Sequence, residues 1–115
     1  MSEINIENAK AQMRKGVLEY CIMATLDSGD AYASDLINRL KEAKMIVVEG
    51  TLYPLLTRLK NAGLLNYRWV ESNQGPPRKY YSLTDDGQLT LQQLHLSWNE
   101  LVTSVNQINH HQTNL

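Results

Sequence analysis

Residues 49–84 read EGTLYPLLTRLKNAGLLNYRWVESNQGPPRKYYSLT. Leu52, Leu55, Leu56 and Leu59 fall at i, i+3, i+4 and i+7, the apolar stripe of an amphipathic helix over about 50–62. Proline lacks an N–H and fits a first helical turn, so Pro54 predicts a helix start at Glu49 to Thr51. Asn61-Ala62-Gly63 supplies the stop. Two strands are expected next, at about 64–71 and 78–83. Tyr67, Trp69, Val70, Tyr80 and Tyr81 are the aromatic and β-branched types that strands favour. SNQGPP between them is expected to be loop, because Pro76 and Pro77 interrupt a hydrogen-bonded ladder.

The stripe leaves Tyr53, Thr57 and Lys60 outward, flanked by Thr51, Arg58 and Asn61. Hydroxyls and amides near a helix start suit phosphate and base-edge contacts, whereas an ordinary solvated face carries Glu–Lys pairs. Behind this helix, Arg78 and Lys79 follow a tip that contains Gln74 and Gly75. Alternate strand residues face opposite ways, so the two cations cannot share one phosphate. Arg78, nearer the tip, is the one expected to approach a nucleic acid. The bland reading of the pair is a charged edge that discourages strand pairing. A helix for a groove beside a basic wing for a backbone is the layout of a winged helix-turn-helix. The contact set it predicts is Thr51, Tyr53, Thr57, Arg58, Lys60, Gln74, Gly75, Arg78 and Lys79.

The rest of the chain reads as helix. Over 5–27, Ile6, Ala9, Met13, Val17, Tyr20, Cys21 and Ala24 recur at helical steps, with Asn5 as cap and Gly29 as stop. Lys10, Arg14 and Lys15 take its polar side. A second helix is expected over about 34–44, capped by Ser34, with Asp35 at the positive dipole end and Leu36, Leu40 and Ala43 inside. A last helix starts after Thr84, where Asp85 and Asp86 meet the dipole. Along it Leu91, Leu94, Trp98, Leu101, Val105 and Ile108 form a heptad seam, while Leu89, Leu96 and Val102 lie off it. That is more apolar surface than one small domain covers, and a second copy of the chain is the simplest partner. The predicted fold is α+β and mostly α: a winged helix-turn-helix at 1–84, with a dimerisation helix at 85–109 and a flexible tail at 110–115.

Composition sets outer bounds. With 115 residues, 43% of them hydrophobic, the chain is one globular domain. The net charge of −1 is unevenly spread. Residues 30–84 carry eight basic against five acidic side chains, a net +3, while 85–115 carry −3 and 1–29 carry −1. The positive segment is the one expected to face DNA. No run approaches eighteen apolar residues, and MSEINIENAKAQ shows no basic stretch followed by an apolar one, so a cytoplasmic protein without a membrane partner is expected. Cys21, the single cysteine, has no partner for a disulfide and reads as a structural thiol. Neither metal-ligand spacing nor a nucleophile motif accompanies it or His95, so no catalytic residue, metal or cofactor is expected.

QMRKG at 12–16, GTLYPLLTRLKNAGLL at 50–65, ESNQGPPRKYYSLTDDG at 71–87 and Trp98 resemble the PadR-like bacterial transcriptional regulators. The likeness is to the short subgroup with one C-terminal helix, and it runs from Ala11 to Val105. GTLYPLL and GPPRKYY-x-LT at this separation are its specific elements. The resemblance implies a homodimeric winged-helix repressor on double-stranded, palindromic operator DNA, with N- and C-terminal helices building the dimer. Some relatives release DNA on binding phenolic acids or flat hydrophobic compounds. Ala33 departs from the pattern, standing where many relatives have glycine after the tyrosine.

Trp98 supports two readings. It is an interface anchor in the seam, or it lines an inducer pocket near a two-fold axis and stacks on a flat aromatic ligand. Lys15 would then favour an anionic or phenolic compound, or is simply solvated. The competing function class is a winged-helix protein–protein module that binds no specific DNA.

Overall fold

The structure is a computed structural model that describes residues 5–113. Its elements are α1 (Ile6–Asp27), β1 (Ala31–Tyr32), α2 (Ala33–Glu42), α3 (Glu49–Asn61), β2 (Leu65–Ser72), β3 (Gly75–Leu83) and α4 (Asp85–Thr113). The sheet is antiparallel with order β1-β3-β2, as a winged helix requires. Among the described residues, no helix is long and apolar enough to cross a membrane.

Asn5 caps α1 as expected: its side-chain oxygen accepts from the Asn8 N–H at 3.2 Å. The face that α1 buries is a different one from the expected stripe. Leu18, Ile22, Met23 and Leu26 enter the core, whereas Ile6, Met13 and Ala24 are exposed and Val17 and Tyr20 are half-buried. The helix is apolar on two sides. Only its C-terminal half lies over the core, so the stripe that dominates the N-terminal half is the outer one. Burial pushes the Cys21 thiol pKa up, which disfavours a reactive thiolate.

The second helix starts one residue earlier than expected and is not capped by Ser34. Ala31 and Tyr32 pair with Tyr81 and Tyr80 of β3, and this bridge turns the chain directly into α2. The Tyr32 N–H donates to the Asp35 carboxylate at 3.1 Å, leaving Ser34 inside the first turn. Ala33, Leu36 and Leu40 form the buried stripe, and Ala43 is exposed beyond the helix end.

In α3, Leu52, Leu56 and Leu59 are buried and Leu55 half-buried, as the periodicity predicts. Because the helix begins at Glu49, Pro54 stands in its second turn, later than the first-turn placement, and leaves the Gly50 carbonyl without an i+4 donor. Gly63 ends the helix at φ 79°, a left-handed conformation that glycine adopts without Cβ strain.

The wing is longer than expected. Only Asn73 and Gln74 separate the strands, and Pro76-Pro77 belongs to β3. The ladder tolerates them through a bulge. Val70 pairs with Arg78 and Ser72 with Gly75, which sets the two prolines opposite the single residue Glu71. Since β1 pairs only with Tyr80 and Tyr81, the outer side of β3 at the prolines carries no neighbouring strand.

α4 follows the wing with one intervening residue. Thr84 caps it, the hydroxyl accepting from the Gly87 N–H at 3.0 Å and donating to the Gly63 carbonyl at 2.6 Å. The Thr84 N–H donates to the Leu64 carbonyl at 3.1 Å. The helix runs to Thr113, past the expected end at 109; of the anticipated tail, 114–115 lie outside the described residues. Leu91 reaches the core and Leu94 is half-buried, while Leu89, Leu96, Leu101, Val105 and Ile108 stay exposed. The radius of gyration is 17.1 Å. A compact chain of this length has about 13 Å. The excess reflects a long helix projecting from a small core.

Gly87 is buried against the α3–β2 turn, and a Cβ there would collide with the Leu64 carbonyl and press on Leu83. Glycine to alanine within a helix normally stabilises by roughly 1 kcal/mol. Gly87→Ala should do the reverse and lose about 1–3 kcal/mol through overpacking, read as a lower urea midpoint at unchanged m value.

Candidate nucleic-acid interface

The core contacts of α3 fix what its other side offers. With Leu52, Leu56 and Leu59 turned inward, Thr51, Tyr53, Thr57, Arg58 and Lys60 are all exposed, and Tyr53 is 47% accessible. Arg58 is not wholly committed outward, since its guanidinium lies 3.0 Å from the Glu19 carboxylate of α1. That pair is solvated and weak, worth at most about 1 kcal/mol. The Lys60 ammonium sits 5.7 Å from the centre of the Tyr67 ring, at the root of the wing.

Strand alternation separates the wing cations as expected. The Arg78 guanidinium turns toward α2: it donates to Ser34 Oγ at 2.6 Å and lies 4.1 Å from the Tyr32 ring centre. Lys79 turns the other way, 4.5 Å from the centre of Tyr67 and 5.5 Å from that of Trp69. Arg68, which the sequence reading passed over, lies over Tyr80 at 4.9 Å. Gln74 and Gly75 form the exposed tip, where the Gln74 N–H donates to Ser72 Oγ.

Arg78, Lys79 and their ring neighbours Tyr32 and Trp69 border one cleft of about 430 Å³. Glu49 and Tyr53 of α3 form one wall, Trp69, Pro77, Arg78 and Lys79 of the wing the other, and Tyr32 and Ser34 close the end. Tyr81 lies at its base. Burial pushes its hydroxyl pKa up, and the neighbouring Tyr53 and Tyr67 phenols add to the shift. Of the expected DNA-contact residues, Tyr53 of α3 and Arg78 and Lys79 of the wing are brought together on this cleft. Thr51, Thr57, Arg58, Lys60, Gln74 and Gly75 lie outside the cleft lining.

A second constellation lies where α1 runs along α4. Met13, Val17, Met45, Trp98, Leu101, Val102 and Val105 line an apolar cleft of about 470 Å³. Trp98 is 39% exposed there and its ring centre is 6.3 Å from that of Tyr20. The cation bordering it is Arg14, not Lys15, which is exposed and outside the lining. Two neighbours were not legible from periodicity: Met45, delivered by the α2–α3 turn, and the Tyr20 hydroxyl, 2.8 Å from His95 Nδ1.

The transcriptional regulator PadR-like family model matches residues 22–93, more than half of the chain. Among solved structures, a PadR-like transcription factor from Bacteroides fragilis is 66% identical, covering 88% of this chain and 98% of that one, with a TM-score of 0.75. A PadR family transcriptional regulator from Eggerthella lenta is 30% identical, covers 90% of each chain and has a TM-score of 0.83. Bacillus subtilis PadR, solved in complex with operator DNA, is 27% identical over 68% of this chain and 45% of that one, with a TM-score of 0.64. Comparison with curated proteins finds no match. A winged helix with these motifs, matched over most of its length by a relative of such identity, has one placement: the chain belongs to the PadR-like family of transcriptional regulators.

Proposed function

We propose that this PadR-like regulator is a homodimeric, sequence-specific DNA-binding repressor whose grip on a palindromic operator is relieved by a small aromatic or hydrophobic ligand. The observation that carries the DNA reading is the uncovered face of α3 beside a wing that bears Arg78 and Lys79, both on one cleft. α3 enters a major groove, where Thr51, Tyr53 and Thr57 offer hydroxyls to base edges and phosphates. The wing holds the adjacent backbone. The operator complex of the Bacillus subtilis relative supports this assignment.

Dimerisation is supported by Trp98, Leu101, Val105 and Ile108, which stay 39–64% exposed along one side of a projecting helix. Met13 of α1, exposed and lining the same cleft as Trp98, Leu101 and Val105, adds to this apolar surface. Joining two copies would bury this seam and set two α3 helices at a fixed spacing, which a palindromic site matches. The apolar cleft at Trp98 fits a flat ligand, with Arg14 available to an anionic or phenolic group. A ligand there relieves repression only if it prefers a dimer geometry that spaces the two wings poorly for DNA. Linkage then makes DNA weaken the ligand by the same factor.

Selection of bound sequences from a random duplex pool tests the central reading, with a palindromic motif expected. A winged-helix protein-interaction module would select no motif.

Three outcomes extend that test. Leu101→Glu places unpaired charges in the seam, costing on the order of 3 kcal/mol or more, and sedimentation at micromolar concentration should show monomer. Tyr53→Ala and Thr57→Ala should reduce discrimination between operator and random duplex, whereas Arg78→Ala should weaken both about equally, since phosphate contacts carry no sequence information. Planar aromatic compounds should quench indole emission in the wild type but not in Trp98→Ala, and operator DNA should lower their affinity. Unchanged ligand affinity in Trp98→Ala would leave that residue a packing role only.

A further inference from the structure

Trp69 has no part in the core, in the seam or in the contact set expected from sequence, yet it is 62% exposed. Large apolar side chains at such exposure mark interaction sites when they are grouped and held in place. Trp69 is held. Its ring meets Tyr67 edge-on, with centroids 5.9 Å apart, and Lys79 lies over it from the opposite strand, where the two residues are register partners. Pro77 stiffens the same stretch of wing. Across the cleft stands Tyr53 of α3.

Duplex geometry decides what can occupy this space. When a helix lies in the major groove and a wing reaches the neighbouring minor groove, one sugar–phosphate strand must pass between them. In this chain the space between helix and wing is the cleft walled by Tyr53 and Trp69. Its rim carries Arg78 and Lys79 against the single carboxylate of Glu49, which complements a polyanion. We infer that Trp69 is a DNA contact: its indole packs against a deoxyribose of that intervening strand, while Lys79 and Arg78 take the flanking phosphates. The inference rests on the DNA-binding reading proposed above and adds a different kind of interaction to it. Contact with a sugar is apolar, indifferent to sequence and insensitive to salt. In the free protein the Lys79 ammonium rests on the Tyr67 and Trp69 faces, where it stays poised for a phosphate.

The test uses the full chain, its selected operator and a random duplex, with affinities measured across a salt series. Trp69→Ala should weaken both duplexes by roughly tenfold, through loss of buried aromatic surface. The slope of log affinity against log salt should stay as in the wild type, and Trp69→Phe should recover most of the loss. Lys79→Ala should instead make the slope shallower by about 0.9 for the phosphate contact it removes. A second measurement needs no destabilising change. Operator DNA should protect part of the wild-type tryptophan emission from acrylamide, and that protected fraction should vanish in Trp69→Phe, which retains Trp98.

Wild-type affinity in Trp69→Ala, or an indole equally accessible to acrylamide in the complex, overturns the contact while leaving DNA binding intact. So does protection of Trp69 by a planar aromatic compound but not by duplex, which would make the cleft a small-ligand site. A wild-type protein that binds no duplex overturns the DNA-binding reading and this contact together.

Discussion

Thr84 joins the parts of this molecule that would otherwise move independently. Its hydroxyl donates to the Gly63 carbonyl, at the end of α3, and accepts from the Gly87 N–H, in the first turn of α4. Its own N–H reaches the Leu64 carbonyl. Gly87 packs so closely on that same carbonyl that no side chain fits. The end of α3, the root of the wing and the start of the long helix therefore share one corner without a flexible linker. Rotating α4 about its first turn means breaking these bonds or moving the α3–β2 turn with it.

The same construction explains the uneven distribution of charge and exposure. α3 and the wing place Leu52, Leu56, Leu59, Leu65 and Tyr81 in a common core with Leu36 and Leu40, and apart from Tyr53 and Trp69 their exposed surface is largely polar and basic. α4 follows the opposite rule. Only its first half finds a place in the core, through Leu91, and the rest carries its seam into solvent. Its acidic residues are confined to Asp85, Asp86 and Glu100, with no lysine or arginine along its length. A uniformly basic molecule would bind polyanions everywhere. Here α3 and the wing carry Arg58, Lys60, Arg68, Arg78 and Lys79, while α4 carries no basic side chain but histidine.

Much of this was legible in the sequence because the period of α3 matches a single buried face, and because Gly63, Thr84 and Asn5 each have one local role that the structure shows them playing. α1 was harder, being apolar on two sides: periodicity finds a stripe without saying which neighbour covers it. The fourfold set from Leu18 to Leu26 was overshadowed by the longer outer row. β1, two residues long, has no period to detect, and its pairing with Tyr80 and Tyr81 moved the start of α2 away from Ser34. Pro76 and Pro77 argued correctly against a regular ladder, but a bulge opposite Glu71 keeps them in the strand. Arg14 and Lys15 are neighbours about 100° apart on a helix, so only the position of α4 decides which one borders the Trp98 cleft. Trp69 was read as strand filler because alternation identifies two faces without identifying what lies against each.

The position of Met45 adds a second link between the two ends of the molecule. It comes from the turn that leads into α3, and it lines the apolar cleft together with Trp98, Leu101 and Val105 of α4. Lys44, just before it, holds φ 63°, a left-handed conformation costly for a side-chain-bearing residue. α3 is thus bounded at its start by a turn that touches the α1–α4 cleft and at its end by the Thr84 corner that launches α4. Met45, which lines that cleft, stands only four positions before the first residue of α3, so the packing of α1 on α4 and the start of α3 share one residue's surroundings.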